Sequence, residues 1–537
     1  MPKTKAALYE QFTRAFYDWK DEKITTISTK RKELNEKLAL LAREAIDEEK
    51  SRFAIRESFA LDVMGEDLFN SACKLHWLIH VYNDADTNEK VYAFFHPTFQ
   101  EYFAALAVYD WEFFLPRAHD NPNPKPVSDR YRIFEPQWKE VILLWLGRPD
   151  EEVTKEQKEA FIKKLVNFKD GCTELFYRYQ AYFLAAAGIA EFNDFSDCNT
   201  SNHIVNEIVK WSFGQTYQVK FPYPHTQESK SPKFVENAAK SMLIETDCKL
   251  VITKLSNLLD EEGRSEQNIF EVSSFLLQLS QGNFKAIKKF KYLIQNSQST
   301  EVRKWASLKF LESTPDESDP MFDCAYKILL EPIGGGITRE TWERNWEHWT
   351  NWSSNRPNCG EDALSRLLSI AREAYNKQNQ LENQTKKFIL SDMLLKGTTI
   401  QEQVQELIEI METGRNPELH ITYIHHLSYI GHGNKKAIQQ LIKIVRAYKN
   451  QDFYYAAIEG LGLIGIGSRE AFDCLLEVID QGIVPTTAIW SMKNILGGDL
   501  FDLAVRQLKH QFLLCYPVIW YCAQNMSYSA FHQAWCE

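Results

Sequence analysis

Apolar residues recur at intervals of three and four along most of this chain, the period of an amphipathic α-helix. Leu8, Phe12, Phe16 and Trp19 predict a first helix from about Thr4 to Lys20, with Thr4 placed to cap it. A second begins near Thr29: Leu34, Leu38, Leu41 and Ala45 hold the period, while Arg31, Lys32, Glu33, Glu36 and Lys37 form a solvated charged face. Ser51 to His76 reads as further short helices. The pattern then shifts to two strand-like runs, Trp77 to Tyr82 and Val91 to Phe95, joined by the polar stretch Asn83 to Lys90, which predicts a β-hairpin. Pro97 suits a first helical residue, where the missing N–H costs nothing, so His96 falls at or next to the N-cap. Phe99, Tyr102, Phe103 and Leu106 give this helix one apolar face, and Ala104, Ala105 and Ala107 admit a close neighbour. Three helices followed by a hairpin is the order of a winged-helix domain.

Asp120 to Pro126 holds too many breakers for a helix or a central strand, so a domain boundary is expected there. From Trp138 onward helix follows helix, carried by Val141, Ile142 and Trp145, then Phe161, Leu165 and Phe168, then Ile204, Ile208 and Trp211. Gln215 to Lys233, with Pro222, Pro224 and Pro232, reads as a long loop. A repeat runs through this region. Leu427, Ile430, Gly431, Gly433, Ala437 and Leu441 recur 34 positions later as Leu461, Ile464, Gly465, Gly467, Ala471 and Leu475, a helical-solenoid period. Gly282-Asn283-x-Lys285-Ala286-Ile287 echoes Gly433-Asn434-x-Lys436-Ala437-Ile438, which extends the array upstream. Glycine suits such junctions because helices often end on a residue in the left-handed region. The unit resembles HEAT repeats, including the phycobilisome-lyase-like kind. The expected fold is mainly α: a small winged-helix domain over 31–119, a linker over 120–130 and an α-solenoid of HEAT-like helical repeats over 131–510.

At 537 residues the chain has room for a small domain followed by a long array, and 44% hydrophobic residues exclude a disordered protein. A formal charge of −11 argues against an unaided nucleic-acid binder. The stretch Glu66 to Lys74, where a winged helix would read DNA, is not basic either, so nucleic acid is an unlikely partner on this reading. No apolar run is long enough to span a bilayer, and Met1 to Lys5 leads into an amphipathic helix without a signal-peptide core, so a soluble, cytoplasmic protein without membrane association is expected. Ten cysteines without a Cys-x-x-Cys pair indicate neither a disulfide framework nor zinc, and read as reduced, mostly buried thiols. His420, His425, His426 and His432 lack a two-ligand i, i+4 pair, so no metal site is expected. Trp342, Trp346 and Trp349 read as a helix core stripe. No Gly-x-x-x-x-Gly-Lys-Ser/Thr occurs, and the glycine run Gly334 to Gly336 lacks the phosphate-contacting Lys. The chain alone is therefore expected to be no enzyme and to hold no cofactor.

One stretch carries a mechanism, Phe94-x-His96-x-x-Phe99-Gln100-Glu101-Tyr102-Phe103-Ala104-Ala105. A His at a helix N-terminus suits an anion, because free backbone N–H groups and the helix dipole favour negative charge there; the same position equally serves as a cap. The stretch resembles the motif near the end of the winged-helix domain in NACHT-type STAND NTPases, nucleotide-switched signalling ATPases related to animal NOD-like receptors. Pro2-Lys3-Thr4-Lys5-Ala6-x-Leu8-Tyr9 resembles the helical part just before that domain, which assigns 1–30 to it. Trp520 to Trp535 resembles the close of the HEAT region in cyanobacterial-type NACHT proteins, with 511–537 a cap or the start of a further domain. The resemblance implies that His96 reaches the β-phosphate of ADP and latches a closed state, once an ATP- or ADP-binding NTPase core is supplied. It implies a chain that enters the family's architecture midway, as a regulatory and sensor arm in bacterial defence or stress signalling. Its solenoid would bind a protein partner, a NACHT NTPase core would be a second partner, and oligomerisation is compatible with both. The repeat alone implies two rivals, a phycobilisome-lyase-like protein or a plain interaction scaffold.

Overall fold

The computed structural model describes residues 2–21, 31–48, 53–119, 130–149, 152–172, 176–192, 198–214, 233–313, 319–330, 399–412, 420–448, 452–482 and 485–537. It is mainly helical, with one small antiparallel sheet. Apart from their last residues, the linker at 120–130 and the loop at 215–233 lie outside the described residues, as do the glycine run and the Trp342, Trp346, Trp349 stripe. Two compact units are present: Met1–Lys254 with Asp502–His510 and Ile519–Glu537, and Leu255–Phe501 with Gln511–Val518. Both ends of the expected linker fall inside the first unit.

The first unit opens with α1 (Lys5–Asp21) and α2 (Arg31–Asp47), then β1 (Ile55–Arg56), α3 (Glu57–Met64), α4 (Glu66–Leu75), β2 (Leu78–Asn83), β3 (Lys90–Phe94) and α5 (Pro97–Leu106). The strands pair antiparallel in the order β1-β3-β2, with Leu78 opposite Phe94 and Tyr82 opposite Val91. The hairpin turn is held by Asp84, whose carboxylate accepts from the backbone N–H of Asp86 and Thr87 and from the Thr87 hydroxyl. The expectation of a single apolar face on α5 needs correction, and α1 shows which side of its stripe is covered. On α5, Phe99 through Ala105 are all buried, so the helix is enclosed nearly all round, because α2 lies along it and α6 (Lys139–Leu146) packs against it as well. On α1, the buried residues are Ala6, Thr13 and Tyr17, while Leu8 and Trp19 are 54% and 60% exposed. Thr4 does cap α1, accepting from Ala7 N–H, and its hydroxyl donates to the Gly147 carbonyl 2.8 Å away.

The unit continues through α7 (Lys155–Val166), α8 (Phe176–Glu191), α9 (Cys198–Phe213) and α10 (Lys233–Glu245), with α11 (Cys248–Leu258) crossing into the second unit. Arg148 joins α5 to this helical part. Its guanidinium donates to the carbonyls of Ala105, Leu106 and Val108 at 2.9, 3.2 and 2.9 Å, satisfying acceptors at the helix end with a charge that the dipole favours.

The second unit contains α12 (Glu266–Leu279), α13 (Phe284–Asn296), α14 (Thr300–Ser313) and α15 (Met321–Leu330), packed around Phe290, Leu293, Val302, Ala306, Phe310 and Leu311. It resumes with α16 (Ile400–Glu412), α17 (His420–Ile430), α18 (Lys435–Ala447), α19 (Asp452–Ile464), α20 (Arg469–Gln481) and α21 (Pro485–Ile495). Here α19 packs between α17 and α21, and α18 packs between α16 and α20. The expected period is realised in detail: a Cβ on Gly431 would meet Ala437 Cβ at 2.8 Å, and one on Gly465 would meet Ala471 Cβ at 2.8 Å. The chain closes with α22 (Leu500–Leu508), α23 (Phe512–Asn525) and α24 (Tyr528–Cys536), of which α22 from Asp502 on, α23 from Ile519 on and all of α24 belong to the first unit.

Candidate functional site

His96 lies where β3 gives way to α5, in extended backbone at φ −148° and ψ 138°, and it is the N-cap of α5. Pro97 follows at the first helical position and sets the entry angle. The imidazole is exposed. Its Nδ1 accepts from Thr98 N–H at 3.3 Å and lies 2.8 Å from Thr98 Oγ1. An Nδ1 that accepts carries no proton, so the neutral ring bears its hydrogen on Nε2, which makes Nε2 a donor.

This geometry alters the chemistry expected of the helix end. Pro97 has no N–H, Thr98 N–H is taken by the His96 ring, and Phe99 N–H donates to the His96 carbonyl at 3.1 Å. The first-turn donors are therefore engaged inside the helix, and an anion would be met by Nε2–H and the dipole instead of by a nest of free amides. One phosphate oxygen fits that arrangement.

Around His96 the sequence assembles an aromatic cluster. Phe95 stacks on Phe16 at 6.0 Å and packs tilted on Phe99 at 4.7 Å; Phe12 meets Phe99 at 4.9 Å; Trp77, fully buried, touches Phe16 at 4.4 Å. Packing of these rings fixes the strand-to-helix corner from below. The outer members Leu8, Phe12 and Trp19 stay exposed and form an apolar rim on α1. Sequence periodicity places these residues on one face, but spacing alone does not say whether a stripe is covered.

At the other end of the chain, α23 and α24 between them carry cysteines and a histidine. Cys515 and Cys522 face inward on α23, and burial pushes the Cys515 thiol up to about 12 and the Cys522 thiol well above its ordinary value. Both are packed thiols and not thiolates. His532 and Cys536, one turn apart on α24, bring a ring nitrogen to 3.7 Å from Sγ, and burial lowers the His532 pKa. Among the described residues no three His, Cys, Asp or Glu side chains gather as a metal site. Of the eight cysteines whose side chains are described, 172, 474, 515 and 522 are buried while 248, 324 and 536 are exposed, so burial is less general than expected.

This C-terminal segment is anchored on α8. Tyr528 Oη donates to the Asp170 carbonyl at 2.6 Å, Tyr177 Oη to the Met526 carbonyl at 3.0 Å and Gln180 Nε2 to the Ala523 carbonyl at 3.1 Å. Tyr528 also packs on Tyr131, Phe134, Phe168 and Tyr177. Residues 510–536, which include this anchor, match a family model described as NACHT C-terminal Cysteine and Histidine-containing. The C-terminal region is thus of a NACHT-associated type. No curated protein and no solved structure matches the chain.

Proposed function

We infer that this chain is the regulatory and sensor arm of a NACHT-type signal-transduction NTPase of bacterial defence or stress sensing, working in the cytoplasm. A winged helix over 31–119 would latch the nucleotide state, and a HEAT-like solenoid over 131–510 would bind a protein partner. The observation that carries this reading is the coincidence of two NACHT-type features at opposite ends of one chain, the motif around His96 and the C-terminal match. The exposed rim of Leu8, Phe12 and Trp19 beside His96 supports it, because apolar surface next to a polar donor suits a covering domain that brings an anion with it. When bound, ADP would supply a phosphate as the anionic partner. This chain's part is to present Nε2–H while Thr98 fixes the ring through Nδ1.

The test is reconstitution with an NTPase core, with the isolated chain as a control that shows no ATP turnover. A hydrogen bond to a charged group contributes about 1.5–3 kcal/mol, so His96→Ala should weaken ADP binding roughly 10- to 150-fold in the reconstituted complex. Unchanged ADP affinity would reduce His96 to a helix cap and remove the latch.

A further inference from the structure

From Val272 to Thr300 the chain carries four lysines, 285, 288, 289 and 291, and no acidic residue, within a protein of formal charge −11. All four lie on α13. That helix commits Ala286, Phe290, Leu293 and Ile294 to the core of its unit, which fixes its other face outward. The outward face adds two rings to the lysines: Phe284 is 80% exposed and Tyr292 is 52% exposed. A phenylalanine left in water at the first helical position gains almost nothing from folding. The rings stand roughly 12 Å apart along the helix axis, with Lys288 between them on the same side.

The repeat supplies its own control. The basic helix α18 shares the Asn N-cap of α13 but carries no aromatic residue; its Lys443 and Arg446 are met by Glu412 and Glu477, and its Lys436 by the Gln405 amide oxygen. On α13, Asp260 meets Lys285 and Asp319 meets Lys291, while among the described residues no carboxylate pairs with Lys288 or Lys289. Lys288 and Lys289 lie within electrostatic reach of Asp260 without an ion pair to it, and they are the two cations beside the exposed rings.

We propose that the outer face of α13 binds single-stranded nucleic acid, with phosphates held by Lys288 and Lys289 and bases stacked on Phe284 and Tyr292. Every base has a π-face, so aromatic stacking beside a cationic track is sequence-tolerant, and it needs bases that are not already stacked in a duplex. An acidic peptide would use the lysines and leave the rings idle. A membrane surface would need a broad apolar face, which α13 has committed to its core.

The full chain, titrated into labelled oligothymidine at low salt and followed by fluorescence anisotropy, should bind saturably. The affinity should fall with salt at a log–log slope of about −1.4 for two phosphates. Phe284→Ala and Tyr292→Ala should each weaken binding roughly 5- to 150-fold. Lys288→Gln with Lys289→Gln should flatten the salt slope, while Lys435→Gln on α18 should leave it unchanged. All these side chains are at the surface, and circular dichroism checks that the variants keep their helix content. Absence of binding at low salt overturns the proposal. So does binding indifferent to both ring substitutions, or equal affinity for the duplex, for polyglutamate or for phosphatidylserine vesicles.

Discussion

The Asp170 carboxyl sits where two effects oppose each other. It is buried, which disfavours the charged form, yet its oxygens accept N–H bonds from Cys172, Tyr177 and Arg178, which favour it. Burial is the larger, and the carboxyl is raised above its ordinary value near 3.8. The folded state then binds this proton at a higher pH than the unfolded state does, so this group's contribution to stability rises as pH falls through the raised value and is complete below the ordinary one. Asp170→Asn cannot titrate and turns an amide donor toward donors. Urea unfolding as a function of pH should therefore show the gap between wild type and Asp170→Asn widening on acidification. A gap that narrows would mean that the three N–H donors win. Neither Asp170 nor Arg148 was legible in the sequence. Each acts on backbone groups that its own neighbours do not reveal, and Arg148 reaches carbonyls some forty positions upstream. His96 was legible because Pro97 and the switch from strand to helix are local signals.

The helix pairs are joined by glycines that do more than end a helix. Gly433 at φ 67° and Gly467 at φ 72° occupy a backbone region costly for other residues, and there their N–H groups reach the next pair, Gly433 to the Ile464 carbonyl at 3.1 Å and Gly467 to the Ile495 carbonyl at 2.9 Å. Charge then reinforces the stacking order. Lys443 with Glu412 and Arg446 with Glu477 each link partners 31 residues apart, so the side chains of α18 meet the carboxylates of the helices before and after it in the stack, α16 and α20. Exposed pairs of this kind contribute little each and serve register more than stability. Another close approach lies between α19 and α21. A Cβ on Gly462 would come within 2.7 Å of Ser491 Cα, which is backbone and cannot rotate away. Gly462→Ala should push α21 off α19 and destabilise the second unit by about 1–3 kcal/mol, read as a lower unfolding midpoint. A midpoint equal to or above the wild type's would mean that the two helices separate freely. The repeat spacing was legible because Leu, Gly and Ala recur at one offset; the packing of Gly462 on Ser491 was not, because it shows only when neighbouring helices are assembled.

The first unit is built from both ends of the chain, and that is the feature a reading along the sequence could least foresee. The bonds that tie the C-terminal segment to α8 and to Asp170 before it link residues 343 to 358 positions apart. Periodicity marks Tyr528, Phe531 and Ala534 as one buried face of a last helix, but it does not name the surface that covers them. In the fold, Phe531 packs on Phe176 and Tyr177, and Tyr528 closes the cluster of Phe134 and Phe168. Truncation after residue 518 would uncover these rings and leave the Asp170 carbonyl without its donor, while every residue of the motif around His96 remained in place. The loss of even one such phenylalanine typically costs about 3–5 kcal/mol. We therefore expect both the truncated chain and Phe531→Ala to melt earlier than the full chain, and the truncated chain to be cleaved faster by protease within 131–192. The same variants separate two roles for the matched C-terminal segment. If it closes the first unit, ADP binding in the reconstituted complex should fall together with stability and recover when the temperature is lowered. If melting and proteolysis are unchanged, the segment is not a structural closure, and its aromatic contacts with α8 do not hold the first unit together.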